Sequence, residues 1–386
     1  QLQFFSLFVY IFEKYILYYS NIEAHNLMKK KLKFLGIETS CDETAAAVIE
    51  ENDEGTAKIL SSIVSSQIKE HEKFGGVVPE IAARSHVENI DYVINKALRE
   101  SKISINKIDG VAATAGPGLI VCLTIGLSIG KTIATFLNKP FVAINHLAGH
   151  ALSPGLENKI KFPYLLLLIS GGHSQYLIVK NVEEYKQLGT TIDDAVGEAF
   201  DKTSKMLNLG YPGGPNVEKF AKKGDKNFYK LPEPIINKAG CNLSLAGLKT
   251  AVLRETKKIN GDKQLKYNLA ASFQETINKI LGKKTLVAME QFKKFTNTKN
   301  SSTFVIAGGV AANQSIRENL IKISKKMNFK PIFPDQKFCG DNAAMIAWAG
   351  IQRFKKKLTN NINFEAKSRW PLDKDAPYMK GPGLKL

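Results

Sequence analysis

Phe34-Leu35-Gly36-Ile37-Glu38-Thr39-Ser40-Cys41-Asp42-Glu43-Thr44-Ala45-Ala46-Ala47-Val48-Ile49 reads as an apolar strand, a polar turn and a second apolar strand. The same plan returns at Tyr164-Leu165-Leu166-Leu167-Leu168-Ile169, Ser170-Gly171-Gly172-His173-Ser174 and Tyr176-Leu177-Ile178-Val179. The two stretches share a pattern, not residues. Apolar runs bounded by small and hydroxyl-bearing turns are buried hairpin strands. Two copies imply two similar lobes facing each other across a cleft. Each turn follows a strand and leaves backbone amides free to meet a phosphate.

Between the hairpins, apolar Ile81, Val87, Ile90, Val93 and Ile94 mark a helix over 79–99. A short strand at 110–114 ends at Gly116-Pro117-Gly118, a long helix follows over 119–137, and a strand at 141–144 leads to His146. The order β–β–α–β–α–β indicates an α/β fold with a mixed sheet. A third strand-turn-helix unit runs through Thr303–Ala307, Gly308-Gly309-Val310 and Ala311-Ala312-Asn313. The expected division is 28–145 for the N-terminal lobe, 146–350 for the C-terminal lobe with an inserted lysine-rich segment near 219–266, and 351–386 for a loop-like tail. Residues 1–27 carry an apolar, aromatic run with no positive charge ahead of it and no arginine. That fits neither a secretory signal nor a mitochondrial presequence. We expect them to be an upstream extension before a start at Met28, the other reading being a weak membrane-surface anchor.

The chain of 386 residues is 44% apolar and 23% charged, the balance of a globular enzyme. Its four cysteines are far apart and form no CxxC pair, which excludes a thiolate metal site of that type and fits a reducing cytosol. The net charge of +18 suits an RNA partner. Only six of the 54 basic residues are arginine, however, and the lysines are scattered, so charge alone does not locate an RNA groove.

The chemistry is concentrated in His146-Leu147-Ala148-Gly149-His150. Histidines four residues apart lie on one face of a helix, where both imidazoles reach one metal ion. The zincin motif HExxH has its general base beside the first histidine; Leu147 stands there instead, which disfavours a metalloprotease. A third ligand must come from elsewhere, and Asp341, in Cys339-Gly340-Asp341-Asn342-Ala343, is the best candidate, although its place before a helix equally suits an N-cap. Two histidines and one carboxylate leave open coordination positions, as expected for iron(II) or a similar divalent ion, zinc included. Gly126-Leu127-Ser128-Ile129-Gly130-Lys131-Thr132 is a decoy: a P-loop has four residues between its glycines and this has three. Asp193, Asp194, Glu198 and Asp201 form an acidic stretch, and Tyr211-Pro212-Gly213-Gly214-Pro215 presents backbone to a ligand.

Together these segments resemble the TsaD and KEOPS-type tRNA threonylcarbamoyltransferases. The matching pieces run in the family's order from about residue 33 to 350. They are Gly36–Thr44, Val78–His86, Ala115–Leu119, the HLAGH helix, Ser170–Gln175, Gly197–Thr203, Tyr211–Pro215, Ala307–Asn313 and Asp341-Asn342. HLAGH sides with bacterial or mitochondrial members. Two departures are Ala246, where the family commonly has a serine, and Gly340, where threonine or serine often precedes the aspartate. The resemblance implies an actin-like ATPase (ASKHA) fold with two RNase H-like lobes, mixed sheets and a central cleft. It implies transfer of the threonylcarbamoyl group from threonylcarbamoyl-AMP to the exocyclic amine of the adenosine beside the anticodon, in tRNAs reading codons that start with A. His146, His150 and Asp341 would hold the metal. Leu168, Ile169, Ser170, Gly171, Gly172, Asp201, Gly214, Asn313 and Glu218 would bind the adenylate, and Asp42 and Glu43 would orient the amine or accept its proton. TsaB-like and TsaE-like partners, a cytoplasmic location and no membrane follow from the same likeness. A glycoprotein endopeptidase, a small-molecule kinase of the same fold and a non-catalytic scaffold are the competing functions. The HxxxH pair separates the first reading from the kinases, which hold magnesium through carboxylates.

Overall fold

The computed structural model describes residues 31–298 and 300–376; the expectation for residues 1–27 and Met28 lies outside them. In the first lobe β1 (Lys33–Glu38), β2 (Glu43–Glu51) and β3 (Ala57–Ser66) form an antiparallel meander. After α1 (Ile68–Glu72) and α2 (Pro79–Ser101) come β4 (Gly110–Gly116), α3 (Ile120–Phe136) and β5 (Phe141–Asn145). The sheet order is β3-β2-β1-β4-β5, with β1 parallel to β4 and β4 parallel to β5. The chain then makes α4 (His146–Leu152) and enters the second lobe: β6 (Tyr164–Ile169), β7 (Ser174–Val179), β8 (Tyr185–Thr190), α5 (Val196–Leu207), α6 (Gly213–Ala221), α7 (Ala246–Thr256), α8 (Lys263–Thr296), β9 (Ser302–Ala307), α9 (Gln314–Lys326), β10 (Phe329–Ile332) and α10 (Ala343–Phe354). The second sheet, β10-β9-β6-β7-β8, repeats the topology of the first. The echo between the two hairpins is thus a repeat of architecture.

Strand periodicity sorts the core. Leu35 and Ile37 of β1 face Ile90, Val93 and Ile94 of α2 and Leu127 of α3. Phe34 lies on the opposite face with Ala45, Ala112 and α10. In the second lobe Leu165, Leu167 and Ile169 pack with α5 to α9, while Leu166 and Leu168 face Leu147 and Ala151 of α4. The histidine helix therefore sits between the lobes. Gly126 and Gly130 lie inside α3, where a Cβ on each would lie 2.4 Å from Thr39 Oγ1 and 2.9 Å from Ala113 Cβ. The decoy glycines serve helix packing.

One feature differs from expectation. Helix α10 falls within the span assigned to the C-terminal lobe, yet its alanines pack on the first sheet. The contact is close enough that a Cβ on Gly36 would lie 2.2 Å from the Ala343 carbonyl oxygen. The irregular segment after α10 follows it onto that lobe: Asn360 N donates to Phe141 O and Lys367 N to Ala115 O. Helix α8 has no clear amphipathic stripe because it is buried on several sides, with Asn268, Ser272, Gln274, Asn278 and Thr285 inside as well as its apolar residues. Its fully buried Lys284 donates to the Lys238 and Gly240 carbonyls at 2.8 and 3.1 Å, pinning the lysine-rich insertion. None of the four cysteines is in a disulfide, and no helix among the described residues is long and apolar enough to cross a membrane.

Gly36→Val should lower stability by about 1–3 kcal/mol or more, because the added carbons meet helix backbone that cannot rotate away. Urea unfolding of the two proteins checks this, and equal midpoints would contradict the packing described.

Candidate active site and metal centre

Helix α4 starts where β5 ends because Asn145 caps it, accepting from Leu147 N and Ala148 N at 2.9 and 3.3 Å. Its Nδ2 donates to the Trp370 carbonyl at 2.8 Å, so the C-terminal segment also fixes the helix start. One turn separates His146 and His150, whose rings are 4.8 Å apart and nearly perpendicular. Asp341 arrives from the loop ahead of α10, and the N-cap there is Asn342, which accepts from Met345 N at 3.0 Å. Asp341 is thereby free for the histidines: its Oδ1 lies 2.9 Å from His150 Nε2 and 3.4 Å from His146 Nε2. One donor atom from each residue falls within 4.8 Å of the others, a group able to hold a metal ion.

Glu38, at the end of β1, is the residue that motif reasoning passed over. Its Oε2 lies 3.1 Å from His146 Nδ1, and its carboxylate accepts from Thr114 Oγ1 and Ser40 N. Such a carboxylate behind a histidine fixes ring orientation and directs Nε2 outward. Its signal was a lone charge closing an apolar strand. Burial opposes charge throughout this cluster, but the charges offset it. Asp341 and Glu38 hold His146 well above the usual imidazole range, and His146 with His150 holds Asp341 well below the usual carboxylate range.

A cavity of about 540 Å³ opens between the lobes in front of this cluster. Asp42 and Glu43 line it from the first lobe; Ser170, Gly171, Gly172, Asp201, Gly214, Glu218 and Asn313 line it from the second, with His146 and Asp341 between. His150 stands behind, fully buried. Leu168 and Ile169 are not on the lining: their side chains lie in the core on opposite faces of β6. Asn313 is also otherwise engaged, capping α9 through Ile316 N and donating to Gln274 Oε1, both at 3.0 Å. Glu218 accepts from Gln314 N at 2.8 Å and ties α6 to α9. Gly171, Gly172, Gly214, Gly309 and Gly340 each have open space where a Cβ would project, leaving bare backbone against the cavity. The acidic stretch divides: Asp193 accepts from Leu245 N at 2.7 Å, Asp194 pairs with Lys202 and Lys249, and Asp201 reaches the cavity wall.

The charge balance of this cavity is one-sided. Asp42, Glu43, Asp201, Glu218 and Asp341 line it, and among the described residues no lysine or arginine does. A nucleotide phosphate entering here needs a cation to offset these carboxylates. The nitrogen-and-oxygen donor set of His146, His150 and Asp341 fits a borderline divalent ion.

Residues 58–348 match the family described as TsaD: tRNA N6-adenosine threonylcarbamoyltransferase. Similar curated proteins include the tRNA N6-adenosine threonylcarbamoyltransferase of Pelagibacter ubique (strain HTCC1062), 59% identical over 359 residues, which are 93% of this chain and 100% of the relative. That of Rickettsia massiliae (strain Mtu5) is 50% identical over 345 residues, 89% of this chain and 98% of the relative. Among solved structures, full-length HypF in its phosphate- and nucleotide-bound form aligns with a TM-score of 0.53 at 12% identity, over 86% of this chain and 47% of that one. This last likeness is one of fold, and it agrees with the actin-like ATPase architecture expected from the sequence.

Burial, with the charges of Asp341 and Asp42, pushes the Glu43 carboxyl well above the ordinary glutamate range. The folded state therefore holds this proton more tightly than the unfolded chain, and stability falls as pH rises from about 4.3 toward the raised value. In chelator-treated protein, Glu43→Gln should melt higher than wild type at pH 7, the gap closing toward pH 4. A variant that melts no higher at pH 7 contradicts this assignment.

Proposed function

Because the chain belongs to the TsaD family of tRNA N6-adenosine threonylcarbamoyltransferases, we propose that it transfers the threonylcarbamoyl group of threonylcarbamoyl-AMP to the exocyclic amine of the adenosine beside the anticodon, in tRNAs reading codons that start with A. The observation that carries this reading is likeness to enzymes of that name along nearly their whole length, joined to a cavity with a glycine-lined wall and a metal-type triad.

The reaction forms a C–N bond at the carbamoyl carbon and breaks its C–O bond to phosphate, so AMP leaves with the bonding pair and the amine loses a proton. Bare backbone at Gly171, Gly172 and Gly309 meets the phosphate, where side chains would keep it away. His146, His150 and Asp341 would hold one divalent ion, iron(II) or zinc, whose contribution when bound is Lewis-acid polarisation of substrate oxygen. Glu38 keeps the His146 ring turned toward that position. Asp42 and Glu43 face the cavity from the other lobe, where they orient the amine or receive its proton. Asp201 and Gly214, at the start of α6, hold the nucleoside end. On the same reading the enzyme works in the cytoplasm with TsaB-like and TsaE-like partners.

Leu147 occupies the place of a metalloprotease's glutamate and is 2% exposed, packed on the second sheet, so a peptidase reading lacks its proton acceptor.

In a strain lacking its own enzyme, the wild-type chain should restore threonylcarbamoyladenosine, detected by mass spectrometry of digested tRNA. Asp341→Ala and His146→Ala should leave it at background while remaining folded; full modification by both would contradict the metal-centred reading. Glu38→Gln should weaken metal affinity by about 10- to 100-fold with the three ligands intact. Equilibrium dialysis against zinc checks this, unchanged affinity being the contrary result.

A further inference from the structure

Tyr211 is an aromatic side chain on the cavity wall with no structural task. Among the described residues its hydroxyl has no hydrogen-bond partner and its half-buried ring no aromatic or cationic neighbour. The other benzenoid ring on the lining, Phe200, is 1% exposed and packs edge-on against Phe273 at 5.1 Å, inside the core. The backbone that carries Tyr211 is held firmly on both sides. Ser204 Oγ donates to Gly210 O at 2.6 Å, and Asp201 Oδ1 accepts from Gly213 N at 2.8 Å. Gly213 lies so close to α5 that a Cβ would sit 2.4 Å from Asp201 Cα. A ring fixed at its root and unpartnered at its tip is built to receive something.

Its position says what. Tyr211 belongs to the second lobe and shares the cavity with Asp42 and Glu43 of the first. Burial, followed by the charges of Asp42, Asp201, Cys41 and Glu43, pushes its phenol pKa up, so it stands within their field and stays protonated. An adenosine stacked in an RNA loop cannot bring its amine into a cavity between two lobes without leaving that stack, and the exposed base face then needs a new partner. We propose that Tyr211 is the platform on which the acceptor adenine of the tRNA stacks, holding its exocyclic amine toward Asp42 and Glu43. The proposal rests on the transferase reading above and adds the acceptor-base subsite to it. The hydroxyl is secondary in this role, whereas the flat ring is essential.

The test uses the holoenzyme with its partners and two variants, Tyr211→Phe and Tyr211→Leu. Tyr211→Leu should lower kcat/KM for tRNA by about tenfold or more, as expected for a lost base–aromatic stack, through a raised KM for tRNA with the KM for threonylcarbamoyl-AMP unmoved. Tyr211→Phe should stay close to wild type. With tRNA carrying 2-aminopurine at the acceptor position, the complexes of wild type and Tyr211→Phe should stay quenched, and the complex of the leucine variant should turn bright. Wild-type kinetics and quenching in Tyr211→Leu would overturn the proposal. So would an equal rise in the KM for the adenylate, which would give the ring to the donor nucleotide instead. A wild-type enzyme that modifies no tRNA would defeat the transferase reading itself, a result separable from both.

Discussion

The arrangement depends on the return of α10 to the first sheet. After the chain has built the second lobe it must come back across the cleft, and it can seat this helix against β1 only because Gly36 has no side chain there. That seating delivers Asp341, just ahead of the helix, to the two histidines of α4. Helix α4 is wedged against α10 on one side, where a Cβ on Gly149 would lie 2.9 Å from Ile346 Cδ1, and against the second sheet on the other. Side chains separated by almost two hundred residues are thus held together by contacts too close to slide. Such precision is what a metal site needs.

The buried charges reinforce this geometry. Glu38, His146, Asp341 and His150 form one chain of contacts from the end of β1 to the cavity. Removing one member would leave the others buried without a counter-charge, so the group acts as a unit. The C-terminal segment extends the constraint. Trp370 binds the residue that caps α4, Ser368 lines the cavity, and the Asp373 carboxylate accepts from Gln187 N of β8 in the other lobe. It straps the two lobes together across the site, which limits how far they can part.

Much of this could be read from the chain. The hairpin echo carried the two lobes, because apolar strands around small turns have few alternative readings, and the spacing of His146 and His150 is a local geometric fact of helices. The choice between metal ligand and N-cap for Asp341 could not be made from spacing, since both roles suit a residue before a helix; it turned on Asn342 taking the cap. Helix α8 was illegible because its polar residues are buried beside apolar ones. The membership of α10 in the first lobe was illegible because alanine-rich periodicity shows a buried helix without saying against which sheet. Leu168 and Ile169 show the limit of motif transfer: a motif marks where the backbone passes a site, while core packing can claim the side chain. Glu38 and Tyr211 show the reverse, functional positions inside familiar motifs whose importance appears only once their neighbours in space are known.

The claim at the centre is that two imidazoles and one carboxylate from distant segments bind a single ion. X-ray absorption spectroscopy of the metal-loaded protein tests it most directly. The expected spectrum is fitted by two imidazole nitrogens and carboxylate or water oxygen at about 2.0–2.2 Å, with no sulfur. A metal surrounded by oxygen alone, or bound through a cysteine thiolate, would contradict the account.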